Sequence, residues 1–136
     1  MPNQEPVNRA ASPRTKGRLE AAISEAIIKF EREYMGRGPE SARTYILDDL
    51  IVVRLQGVLT PAETQLARNE DEFRGRTLIK QVRMELLEKA RPLLDAIVRD
   101  IAGQPIRSLH TDISTVTGER LIVFTLEAPF ALDPPA

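Results

Sequence analysis

The chain has 136 residues, with 19 Lys plus Arg against 20 Asp plus Glu and a formal net charge of -1. That length suits one compact domain able to bury its own core without staples. Lack of cysteine excludes a disulfide framework, a thiolate metal site, an iron–sulfur cluster and a cysteine nucleophile, while balanced charge supplies no field for nucleic acid or an anionic membrane.

Residues 1–18 carry Arg9, Arg14, Lys16 and Arg18 against Glu5, with no continuous apolar stretch. The reading is a disordered lead-in over residues 1–11, with no secretory signal and a cytoplasmic location by default. No run of 18 apolar residues occurs, so direct membrane insertion is not expected. Leu19, Ile23, Ile27, Phe30 and Tyr34 then recur at steps of 4, 4, 3 and 4 and predict a helix over 13–35. Ser12 is the expected N-cap and Pro13 the first helical residue, and Gly36 with Pro39 ends the helix.

Two β-rich runs, 41–47 and 50–55, flank Asp48-Asp49 and predict a hairpin. Thr60-Pro61-Ala62-Glu63 is a capping box that opens a short helix running to about Arg68. Glu70, Asp71 and Glu72 suit the positive end of a long helix that continues to Ala102. Its stripe is Leu78, Val82, Leu86, Ala90, Leu93, Ile97 and Ile101, and Pro92 predicts a kink or a junction of two helices. A second stripe, Ile79, Leu87, Leu94 and Val98, widens the apolar face beyond what one sheet needs. Gly103 and Pro105 stop the helix, and residues 106–113 and 119–126 read as strands about a Thr117-Gly118 turn. The ending from 128 to 136 is proline-rich and irregular.

Each half therefore runs helix, Gly with Pro, strand, turn, strand. Residues 50–55 answer 121–126 at five apolar positions. The expected fold is α+β: a two-layer domain over 12–127 with a four-stranded, mostly antiparallel sheet built from two αββ units and long helices packed on it. Apolar residues at alternate and intervening positions of the final strand of each hairpin call for cover on both sheet faces, and a second subunit is the expected cover, which makes the protein a homodimer.

Few residues point to chemistry. Gly36-Arg37-Gly38-Pro39 has the look of a phosphate loop, but it follows a helix and precedes a strand, whereas phosphate cradles use the free N–H groups where a helix starts. A helix cap explains these glycines better, and Arg37 with Gly36 and Gly38 stays the anion-binding candidate, for bicarbonate, phosphate or a nucleotide. His110 and Asp112, two apart on a strand, share a face and could form an acid/base pair or part of a metal site. No second histidine or serine elbow completes either, so a hydrogen bond at a strand edge or interface is the simpler reading. Thr111, Ser114, Thr115 and Thr117 suit turn chemistry or an anion pocket. No cofactor and no metal are expected.

Lys16-Gly17, Leu19-Glu20-Ala21, Ala26-Ile27-Ile28, Gly36-Arg37-Gly38-Pro39, Gly57-Val58-Leu59-Thr60-Pro61-Ala62-Glu63, His110-Thr111-Asp112-Ile113-Ser114-Thr115 and Thr117-Gly118-Glu119-Arg120 form an ordered series over about residues 16–127. In this series the chain resembles the MpsC-like family, small bacterial proteins formerly catalogued as a domain of unknown function. The resemblance implies a component of a Na+-translocating, membrane-potential-generating system whose other parts resemble ion-pumping subunits of NADH dehydrogenase and proteins linked to inorganic-carbon uptake. It supplies no catalytic residues. Gly36, Arg37, Gly38, Pro39, His110, Asp112, Thr117 and Gly118 transfer as motif matches of unknown role. The expected function is a non-enzymatic accessory or regulatory protein that contacts subunits of a membrane transport system, at most peripherally at the inner membrane face through a partner. A small-anion sensor and an enzyme using His110 and Asp112 are the alternatives.

Overall fold

A computed structural model of the chain describes residues 14–68 and 72–133. Helix α1 covers Lys16–Tyr34 and starts later than its sequence predicts, because Thr15 is the N-cap and its hydroxyl accepts from the Arg18 N–H. Ser12 and Pro13, the expected cap, lie outside the described residues. Residue 14 is held out of the helix by the far end of the chain: its N–H donates to Asp133 Oδ2, its carbonyl accepts from the Asp133 N–H, and its guanidinium donates to the Ala131 carbonyl. The helix buries Ile23, Ile27 and Phe30 and ends at Met35, ahead of Gly36 at φ +88°.

Strands β1 (Ser41–Leu47) and β2 (Leu50–Gln56) form the expected hairpin. Its turn is made without glycine because Asp48 takes φ +56°, a region aspartate tolerates better than most residues. Helix α2 (Pro61–Ala67) opens on the complete capping box, with Thr60 Oγ1 accepting from the Glu63 N–H at 3.1 Å and Glu63 Oε1 from the Thr60 N–H at 2.9 Å. Helix α3 runs without division from Glu72 to Ala102, through Pro92. Strands β3 (Ile106–Ile113) and β4 (Arg120–Leu126) complete the fold.

The sheet order is β1-β2-β4-β3, and every pairing is antiparallel rather than mostly so. The two hairpins join through β2 and β4, where Val52 faces Val123. One face carries Ile51, Val53, Leu55, Ile122, Phe124 and Leu126, all buried with α1 and α3 in a single core. The stripe of α3 that enters this core is the second one, through Leu87, Leu94 and Val98 with Ala90, and Ile79 of the same stripe is buried as well. Leu78, Val82, Leu86 and Leu93 of the first stripe stay exposed. Both stripes have helical spacing, and only the packing of α3 beside α1 over the sheet selects between them. The opposite sheet face shows Tyr45, Leu47 and Leu121 to solvent, so within one chain the helices cover one side of the sheet.

The irregular ending is anchored. Phe130 is buried, donates its N–H to the Asp48 carbonyl, and lies 5.6 Å beneath the Arg14 guanidinium. Among the described residues, no helix is long and apolar enough to cross a membrane.

Candidate functional site

The inward-facing side chains of α3 are not all apolar. Arg83 lies between Ile79 and Leu87 on the buried side, and Arg120 begins the inward row of β4 that continues through Ile122 and Phe124. Arg83 donates from Nε to Glu63 Oε2 at 2.9 Å and from Nη2 to Glu63 Oε1 at 2.6 Å, and also from Nη2 to the Val58 carbonyl at 2.9 Å. The capping glutamate of α2 is thereby clamped to α3. Arg120 Nε donates to Thr111 Oγ1 at 3.3 Å, and its Nη1 stands 3.5 Å from Glu31 Oε2.

Glu31 and Arg120 are 1% and 2% exposed, and their charges are expensive at that depth. Burial pushes the Glu31 carboxyl above the usual carboxylate range, and Arg120 and Arg83 pull it back only in part. Burial likewise lowers the Arg120 guanidinium, with Glu31 opposing and Arg83 reinforcing the effect. For Glu63 burial also acts upward, but the hydrogen bonds and charge of Arg83, with the bonds to Thr60, outweigh it together and hold this carboxyl below its ordinary value.

Three adjoining hollows follow the edge of α3. The innermost, about 60 Å³, is lined by Lys80, Arg83, Met84, Leu87, Thr111, Asp112, Ile113 and Arg120. It shares Lys80, Asp112 and Ile113 with an open groove of about 400 Å³, which shares Arg76, Thr115 and Val116 with a further one of about 510 Å³. Arg68, Arg76, Lys80, Arg83 and Arg120 line this run together with Glu40, Asp112 and Glu119, and Lys80, Arg83 and Arg120 each stand beside a carboxylate. Hydroxyls of Thr64, Thr111, Thr115 and Thr117 are interspersed.

The sequence-predicted residues are spread about this run. Gly36-Arg37-Gly38-Pro39 joins α1 to β1, and Arg37 lies 3.8 Å from Glu40, whose side chain lines the largest hollow with Thr117 and Gly118. Gly118, at φ +76°, offers its carbonyl to the Val58 N–H and lies against Gly57, so the two hairpins meet at paired glycines. His110 and Asp112 do share one face of β3, opposite Val123 and Leu121. The strand is the sheet edge opposite β1, so from this outward-turned face the Asp112 carboxylate still reaches around the edge to α3. His110 is exposed and makes no side-chain hydrogen bond among the described residues, while Asp112 Oδ1 accepts from Lys80 Nζ at 3.3 Å and from the Ile113 N–H at 2.8 Å. Among the described residues, no cluster of three His, Cys, Asp or Glu could hold a metal ion.

Sequence reasoning did not single out Glu31, Arg83 or Arg120. The signal was a charged residue at a position whose period demands an apolar one: Glu31 four after Ile27, Arg83 four after Ile79, Arg120 two before Ile122.

Compared with known proteins, the chain matches the family model described as Na+-translocating membrane potential-generating system (MpsC) over residues 15–128. It is 43% identical over 113 residues to the "Uncharacterized protein YbcI" of Bacillus subtilis (strain 168), a span of 83% of this chain and 89% of that protein. No solved structure matches it.

Proposed function

The chain belongs to the MpsC family, and we propose that it serves there as a non-enzymatic accessory or regulatory subunit. In this reading it acts from the cytoplasmic side, by protein–protein contact, on a Na+-translocating, membrane-potential-generating or inorganic-carbon uptake system. The observation that supports it is the outer stripe of α3, where Leu78, Val82, Leu86 and Leu93 are 41%, 54%, 36% and 49% exposed. Four large aliphatic side chains in one helical row form a continuous patch, unlike the scattered apolar residues of an ordinary surface. Beside it a groove of about 440 Å³ between α1 and α3 is lined by Ala26, Phe30, Tyr34, Leu93 and Ile97, with Lys29 and Glu33 also on its wall. A second copy of the chain is the first occupant of this face, because a two-fold axis across α3 sets the same row against itself and buries it.

The test is the membrane potential of cells that lack the protein, read with a voltage-sensitive dye. The wild-type chain restores the potential, and Val82→Glu, folded but monomeric by light scattering, does not. Full restoration by a monomeric Val82→Glu chain, or a wild-type chain that is monomeric at high micromolar concentration, overturns the reading.

A further inference from the structure

We infer that two copies of the chain pair their α3 helices antiparallel, about a two-fold axis level with Leu87, so that Glu85 of each copy meets Lys89 of the other and Arg74 meets Asp100. This alignment rests on the self-association proposed above and fixes how the second copy sits.

Most charged side chains of α3 are answered within the chain. Lys80 pairs with Asp112, Arg83 with Glu63, Arg91 with Glu88 and Arg99 with Asp95. Arg74, Glu85, Lys89 and Asp100 are exposed and make no hydrogen bond or ion pair among the described residues. At 3.6 residues per turn these four fall on one stripe, about 100° wide, with Leu78, Val82 and Leu93. The charges left unanswered by the chain are therefore the ones its exposed apolar row carries with it.

Their positions obey a two-fold. Helix α3 runs from Glu72 to Ala102, so Leu87 is its midpoint. Glu85 and Lys89 stand two residues to either side of that midpoint, Arg74 and Asp100 thirteen, and each couple joins opposite signs. An antiparallel pairing about an axis at this level sets every residue against the position equally far on the other side. Glu85 and Lys89 then pair twice at the centre, and Arg74 with Asp100 closes both ends. A parallel pairing sets each charge against its own copy, and juxtaposed like charges are costly.

Shape agrees with charge. The same axis brings Leu78 and Val82 level with residues 96 and 92 of the other copy, beside Leu93. The groove of about 440 Å³ between α1 and α3 opens there, lined by Phe30, Tyr34 and Ile97, with Lys29 and Glu33 also on its wall. One half of the row thus projects where the other half has a hollow, and antiparallel pairing fills the hollow of both copies.

Sedimentation equilibrium of the full chain reads the dimer dissociation constant, and circular dichroism verifies that each variant is folded. Glu85→Lys and Lys89→Glu each set like charges together and weaken the dimer about tenfold or more, while the double variant Glu85→Lys/Lys89→Glu reverses both pairs and returns to within about threefold of wild type. The chain has no cysteine of its own, so introduced ones report the alignment. In the antiparallel dimer the two copies of residue 82 lie about 15 Å apart along the helices, beyond the roughly 7 Å a disulfide can span. Val82→Cys alone therefore does not cross-link under oxidation, and Val82→Cys mixed with Leu93→Cys does. A dimer that cross-links through Val82→Cys alone, single charge reversals that leave the dissociation constant unchanged, or a double variant as weak as either single one overturns the antiparallel alignment and leaves the dimer standing. A wild-type chain that is monomeric at high micromolar concentration overturns both and gives the row to a foreign partner.

Discussion

Replacing Arg83 by methionine keeps most of the apolar stem and removes the charged fork. The change deletes two hydrogen bonds to Glu63 and one to the Val58 carbonyl, leaving the carboxylate with only the Thr60 N–H. Removing one member of a buried pair costs about 3–5 kcal/mol. Glu63 is 22% exposed and recovers some hydration, so the expected loss is about 2–3 kcal/mol. For a chain of 136 residues each kcal/mol moves the melting temperature by about 3–4 °C, so Arg83→Met should melt about 6–12 °C lower. Circular dichroism at pH 7 on Arg83→Met, Glu63→Gln and the double variant measures both the loss and the coupling, expected at about 1.5 kcal/mol or more. Because Glu63 titrates below its ordinary value in the folded chain, its stabilisation is complete above the ordinary carboxylate range and is lost as pH falls through the depressed one. Arg83→Met should therefore also flatten the acid limb of the stability profile. A drop of less than about 3 °C, or additivity within about 0.3 kcal/mol, would refute the claim that this pair clamps α2 to α3.

The two stripes of α3 should respond in opposite ways. Leu94→Ala opens a cavity at a fully buried position and costs about 2–5 kcal/mol by urea unfolding, whereas Val82→Glu changes monomer stability by no more than about 0.5 kcal/mol. Glu31 carries the opposite pH sign to Glu63: its raised folded value gives a contribution complete below the ordinary carboxylate range and lost as pH rises through the raised one, and Glu31→Gln should remove that slope in melting curves from pH 4 to 7. His110→Gln should shift the melting temperature by less than about 2 °C, since the imidazole is exposed and makes no side-chain hydrogen bond among the described residues. Gly75→Ala should lower stability well beyond the usual surface substitution, because its Cβ would strike the Leu66 backbone carbonyl where α3 crosses α2, and hydrogen exchange should show α2 loosened first.

Local chemistry made much of this protein legible from its residues. The capping box at Thr60 and Glu63, the strands 41–47 and 106–113, the glycine stops at Gly36 and Gly103 and the shared face of His110 and Asp112 each depend on neighbours within a few positions. The doubled αββ pattern carried the four-stranded sheet with it. What depended on distant parts of the chain was not legible in this way. Arg14, just ahead of the Thr15 cap of helix α1, is tied to Asp133 and Ala131, more than a hundred residues away. Two stripes of equal periodicity compete on α3, and only its seat beside α1 decided that Leu87 and Leu94 turn inward while Val82 and Leu86 turn outward. Periodicity likewise marks where a side chain points but not what it meets. The union of Glu31, Glu63, Arg83 and Arg120 from four separate elements is a product of the tertiary structure, where burial gives each charge its partner and its altered acidity.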